Sequence, residues 1–116
     1  WKYQQVRASE DHRAHPYVDI AHRASLLYAF ASLVIAEFAQ RSPLSSTTTF
    51  ICVLLPLIFF AIAIGAYIAH GWTQDTENQF KDPSRLTTWT MHALILAEVG
   101  GFGVLFFAVV WDMLVA

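Results

Sequence analysis

From Ser42 through Gln74 the chain contains no Asp, Glu, Lys or Arg. Within that stretch lies TFICVLLPLIFFAIAIGAYIAHG, Thr49 to Gly71, which is apolar on all sides. About 20 apolar residues in a helix cross a hydrocarbon core of about 30 Å. In lipid a lone helix satisfies its own backbone hydrogen bonds, and a lone strand does not. The stretch therefore reads as a transmembrane helix. A β-barrel is excluded, because its strands alternate apolar and polar residues over about ten positions.

Two further stretches follow the same logic. Leu86–Trp111 carries one charge, Glu98. Ala24–Gln40, between Arg23 and Arg41, contains Glu37 and is short for a span. It becomes long enough if its helix begins at Pro16 or Tyr17, since proline suits a first helical turn. The expected fold is all-α: an integral membrane protein with three transmembrane helices, about 17–40, 48–70 and 86–115, in one small bundle. Residues 1–116 form a single membrane domain, with a polar N-terminal segment at 1–16 and a loop at 71–85. Composition agrees, with 56% hydrophobic and 14% charged residues against about 25% charged in soluble domains.

Basic residues set the expected orientation. Lys2, Arg7, Arg13 and Arg23 precede the first span, and Lys81 and Arg85 lie in the 71–85 loop on the same side. Arg41 stands alone on the other side. The positive-inside rule places the N-terminus and the 71–85 loop in the cytoplasm. Trp72, Trp89 and Tyr17 are placed for one aromatic belt and Trp111 for the other. Pro43 stops the first helix, Ser45, Ser46 or Thr47 caps the second, and Ser84 caps the third. The opening on Trp1 leads us to expect native residues before it. The close inside an apolar run leaves room for a continuation, even a fourth span.

A net charge of −2 gives no electrostatic basis for a nucleic-acid partner. The expected partners are the lipid bilayer and other membrane subunits. The single cysteine, Cys52, excludes an internal disulfide and a multi-Cys metal site. VGGFG, residues 99–103, has no following Lys-Ser/Thr and no preceding strand, so it is no phosphate loop.

Glu98 is the residue most in need of an explanation. An ionisable side chain at membrane depth costs about 2.5–3.5 kcal/mol on insertion scales. Its helical face runs Met91, Leu94, Glu98, Gly101, Leu105, Ala108, Asp112. One reading makes it a proton-accepting or ligand-coordinating site. The other makes it a protonated side chain hydrogen-bonded across a helix interface. Glu37 and Asp112 fall near the outer face, where a carboxylate reaches the interface.

His22 begins the first span, His70 ends the second and His92 begins the third. All three fall near one membrane face, with His12 and His15 on the same side. Neutral imidazole ligates metals and haem iron, so His22, His70 and His92 are candidates to hold haem b, a chlorin or a metal ion. The plain alternative is that His is simply tolerated at the interface.

Small residues mark the faces beside these groups: Ser25, Ala29 and Ser32 in the first span, Ala61 and Gly65 in the second, Gly100, Gly101 and Gly103 in the third. Small residues let helices approach closely in lipid, so these are candidate packing positions, within the chain or against a partner. Pro56 is expected to kink the second span.

The function expected from these features is a small integral subunit of a larger membrane complex of electron transfer or photochemistry, non-catalytic in itself. The alternatives are a small transporter or proton-conducting component using Glu98, a purely structural packing subunit, and a membrane enzyme with a His-held metal.

Overall fold

The computed structural model describes all 116 residues. The chain is all-helical: α1 spans Lys2–Ala8, α2 Pro16–Gln40, α3 Ser46–Thr73 and α4 Arg85–Val115. The last three are long and apolar enough to cross a membrane, which gives the expected three-span architecture. At 1.5 Å per residue the 28 residues of α3 extend about 42 Å, more than the hydrocarbon core of about 30 Å requires.

The local signals account for where the helices start and stop. Pro16 occupies the first turn of α2, and His15 caps it by accepting the Tyr17 N–H at its Nδ1, 3.3 Å away. Ser45 caps α3 by accepting the Thr48 N–H at 3.2 Å. Ser84 caps α4 by accepting the Thr87 N–H at 3.1 Å. Each cap satisfies a backbone donor that the first turn leaves free. α2 ends at Gln40, ahead of Pro43. α3 runs through His70 and Gly71 to Thr73, so the expected loop at 71–85 is shorter, Gln74–Ser84. The helix stops where Gln74 turns left-handed, with φ of 51°, and donates its N–H to the His70 carbonyl at 2.9 Å.

α3 is the middle helix, with α2 along one side and α4 along the other. α2 and α4 meet less, through Phe38 against Phe102 and Phe106 with ring centres 5.4 and 5.6 Å apart. The core is an apolar knot of Ile35, Cys52, Phe60 and Leu105, with Tyr28 stacked on Phe60 at 4.2 Å between ring centres. A second buried knot lies at the other end of the bundle, where Tyr17, Val18 and Ala21 of α2 pack near Gly71 of α3. Elsewhere large apolar side chains such as Leu27, Phe30, Leu96 and Phe107 stay exposed. Such surface is a liability in water and suits contact with lipid.

Two expectations are corrected here. Residues 1–16 are not merely a polar segment. α1 folds back onto the bundle, where Lys2 pairs with Asp19, Tyr3 stands edge-on to His22, and Gln5 Oε1 accepts the His15 N–H at 3.0 Å. Tyr17 is not a belt residue. It is 3% exposed, and its hydroxyl oxygen accepts the Gln79 N–H at 2.7 Å. Trp72, Trp89 and Trp111 do stand exposed near the helix ends, as belts require.

Candidate functional site

Glu98 sits on the face of α4 that also presents the buried Gly101 and Leu105. This face turns inward because Gly101 lets α4 approach α3 closely. A Cβ added at Gly101 falls 2.8 Å from the Cys52 carbonyl oxygen and 3.0 Å from Pro56 Cδ. Pro56 has no N–H to give that carbonyl, so the kink-prone turn of α3 and the glycine of α4 fit together.

Beside this contact lies an open pocket of about 340 Å³ between the three spans, lined by Phe30, Val34, Ile35, Phe60 and Phe102 with Glu98 as its one ionisable group. Glu98 Oε1 is buried and has no hydrogen-bond partner. The expected cross-helix hydrogen bond to a Ser, Thr or backbone group is therefore not made at that oxygen. Tyr28 and Tyr67 are the polar aromatic residues whose phenols lie within electrostatic reach of the carboxyl. A buried polar atom left unpaired costs about 1–3 kcal/mol. An ionisable residue within a membrane span is a candidate functional group.

The histidines do not converge. His22 is exposed and leans against Tyr3. His92 is exposed, with its Nδ1 2.8 Å from the Thr88 carbonyl oxygen of its own helix. His70 is half-buried, its ring centre 5.0 Å from that of Tyr17, and its Nδ1 meets Asp75 Oδ1 at 2.9 Å. No group of three or more His, Cys, Asp or Glu side chains is placed to hold a metal ion. His22 and His92 face outward because α2 and α4 turn other faces, carrying Tyr17 and Val18 or Ala97 and Leu105, to the interior.

His70 belongs to a different feature. Between α3 and α4 at this end lies a cleft of about 280 Å³. Phe59, Ala66 and Leu94 line its apolar part, and Tyr67, His70, Gln79 and Thr90 bring polar atoms to it. Asp75 lies on the loop outside the spans. The His70 ring first, and then the Thr73 hydroxyl, hold its carboxyl below the usual aspartate range by hydrogen bonding.

The small residues divide. Gly101 is buried at the α3–α4 contact. Ser25 and Ser32 are half-buried, and each hydroxyl donates at 2.7 Å to the carbonyl one turn back, Ala21 and Tyr28 respectively. Ala29 and Ala61 are exposed, and a Cβ at Gly65, Gly100 or Gly103 meets nothing within 4 Å. These five make no close helix contact inside the chain, since each helix presents a different stripe to its neighbours. Sequence reasoning missed Gly71, where an added Cβ falls 2.9 Å from Val18 Cγ2 and 3.1 Å from the Val18 backbone nitrogen. Its place at the junction with the polar loop hid this contact. Asp75 was also missed, although its spacing of five from His70 across a helix end was visible.

No protein-family model matches the chain, and neither a curated protein nor a solved structure is similar to it.

Proposed function

We propose that this is a membrane component that works through the Glu98 carboxyl, as the proton-accepting site of a small transporter or proton-conducting unit. The observation that carries the reading is the buried Oε1 of Glu98, without a partner, beside an apolar pocket lined by three spans. A carboxyl whose only task is packing is expected to find a donor. Here the carboxyl stays free to take up a proton or a cationic group. The basic residues favour an N-terminus in the cytoplasm. The test is proton flux into vesicles reconstituted with the protein, reported by an enclosed pH-sensitive dye under an imposed potential. The wild type conducts and Glu98→Gln, which keeps shape but cannot exchange the proton, does not. Equal flux in the two overturns the reading.

A second reading has its own observation. Ala29, Ala61, Gly65, Gly100 and Gly103 lie outward on three helices, where small residues favour close approach of a further helix. This supports a subunit of a larger membrane complex, with electron transfer or photochemistry as its setting. The separate partners of His22, His70 and His92 lend no support to a haem, chlorin or metal held between them. Gly100→Leu is expected to release the protein from its complex on a native gel while leaving its own melting unchanged.

A further inference from the structure

The cleft between α3 and α4 combines a polar end and an apolar end in the order that the membrane imposes. His70 near the end of α3, Gln79 in the loop that follows and Thr87 in the first turn of α4 lie at the level of the exposed Trp72 and Trp89, while Phe59 and Leu94 lie deeper. An amphipathic molecule entering from lipid would meet the polar groups with its head and the apolar groups with its tail.

The lining chemistry narrows the head. No lining residue is an Asp, Glu, Lys or Arg, so the cleft offers no counter-charge to a phosphate or an ammonium group. An anionic head would also approach Asp75, whose Oδ1 lies 2.9 Å from His70 Nδ1. In the neutral ring, donation from Nδ1 to the Asp75 carboxylate leaves Nε2 with a lone pair to accept. The Thr87 hydroxyl is already paired with Ser84 at 2.9 Å. Tyr67 and Thr90 also line the cleft; their hydroxyls have no partner in the chain and can donate or accept. The head that answers this set is neutral and carries a hydroxyl or a carbonyl. Phe59, Tyr67 and Phe80 add aromatic surface for a flat ring. Small-molecule sites hold about 300–1,000 Å³. A cleft of about 280 Å³ takes a ring and the start of its tail, with the rest left in lipid.

We propose that the α3–α4 cleft is a binding site for a lipid-soluble quinone or quinol, with the head held by His70, Tyr67 and Thr90. A quinol hydroxyl donates to His70 Nε2, and a quinone carbonyl accepts from Thr90 or Tyr67. Asp75 is a positioning residue, which fixes the His70 tautomer without touching the ligand. The site shares no residue with the Glu98 pocket and does not depend on its role.

The test is tryptophan quenching of the full chain in lipid nanodiscs, titrated with decylubiquinone. Saturable quenching is expected, displaced by the corresponding quinol. Thr90→Val, which keeps shape and removes the hydroxyl, and His70→Ala should each weaken binding by about tenfold. Ala66→Phe, which fills the cleft, should abolish it. Glu98→Gln should bind as the wild type does, so this result and the flux result can fail separately. Quenching that rises linearly with quinone and is the same in every variant overturns the proposal. Displacement by phosphatidylglycerol also overturns it, and makes the cleft a phospholipid site.

Discussion

Gly101 of α4 lies so close to Cys52 of α3 that an added methyl would stand 2.8 Å from the Cys52 carbonyl oxygen. That carbonyl is the one that Pro56 deprives of its helical hydrogen bond. The two irregularities, a proline in one helix and a glycine in the next, therefore answer each other. Gly101→Ala should destabilise the protein by about 1–3 kcal/mol, the usual cost of overpacking, because backbone on one side and a proline ring on the other cannot move aside. Gly100→Ala and Gly103→Ala should be neutral or stabilising by up to about 1 kcal/mol, as alanine is the better helix former. Thermal melting of the three variants in one detergent checks this. Equal losses at 100, 101 and 103 would contradict the assigned helix face.

Gly71 makes the second close crossing, with α2 at Val18. Gly71→Ala should destabilise by a similar amount, about 1–3 kcal/mol. Trimming Trp1 should restore little, because the Val18 backbone nitrogen, 3.1 Å from the added Cβ, remains in the way. Comparing Gly71→Ala in the presence and absence of Trp1→Ala decides it. Full rescue would mean that only the Trp1 ring obstructs the site.

These glycines mark the division between what sequence reveals here and what it conceals. The spans were legible because charge is absent over long runs, and a backbone in lipid has few alternatives. The caps at Ser45 and Ser84 were legible because a local rule decides them. Glu98 was legible as a lone charge inside an apolar run. Which small residues face a neighbour was not legible, since each of these helices is apolar all round and gives little periodic signal. The burial of Tyr17 and the docking of α1 depend on partners far along the chain, Gln79 for one and Asp19 for the other. The outward placement of His22 and His92 likewise follows from how the helices rotate against one another. Depth in the membrane was readable, and azimuth was not.

Glu98 should cost the protein stability. Its unpaired Oε1 gives up water without gaining a bond, a loss of about 1–3 kcal/mol. Glu98→Met, apolar and of similar length, should therefore raise the melting temperature, while proton flux is lost. A group retained at the expense of stability is the expected pattern at a working site. A fall in stability on Glu98→Met would mean that the carboxyl has a structural partner and would weaken the proton-site reading.

Asp75 gives the molecule an acid-sensitive joint. Hydrogen bonds from His70 and then Thr73 hold its carboxyl below the usual aspartate range. A carboxyl lowered in the folded state favours folding above its unfolded value, about 3.9, and that contribution is lost as pH falls through the folded value. The end of α3 and the following loop should thus loosen below about pH 4. Asp75 is exposed, so the effect is local, read best as faster amide exchange at Gln74 and its neighbours. Asp75→Ala should show the faster exchange already at pH 6, with no further acid-dependent step beyond the intrinsic change in exchange rate. If the wild type and Asp75→Ala exchange alike at pH 6, the carboxyl is not what holds the helix end, and the positioning of His70 must come from its contact with Tyr17.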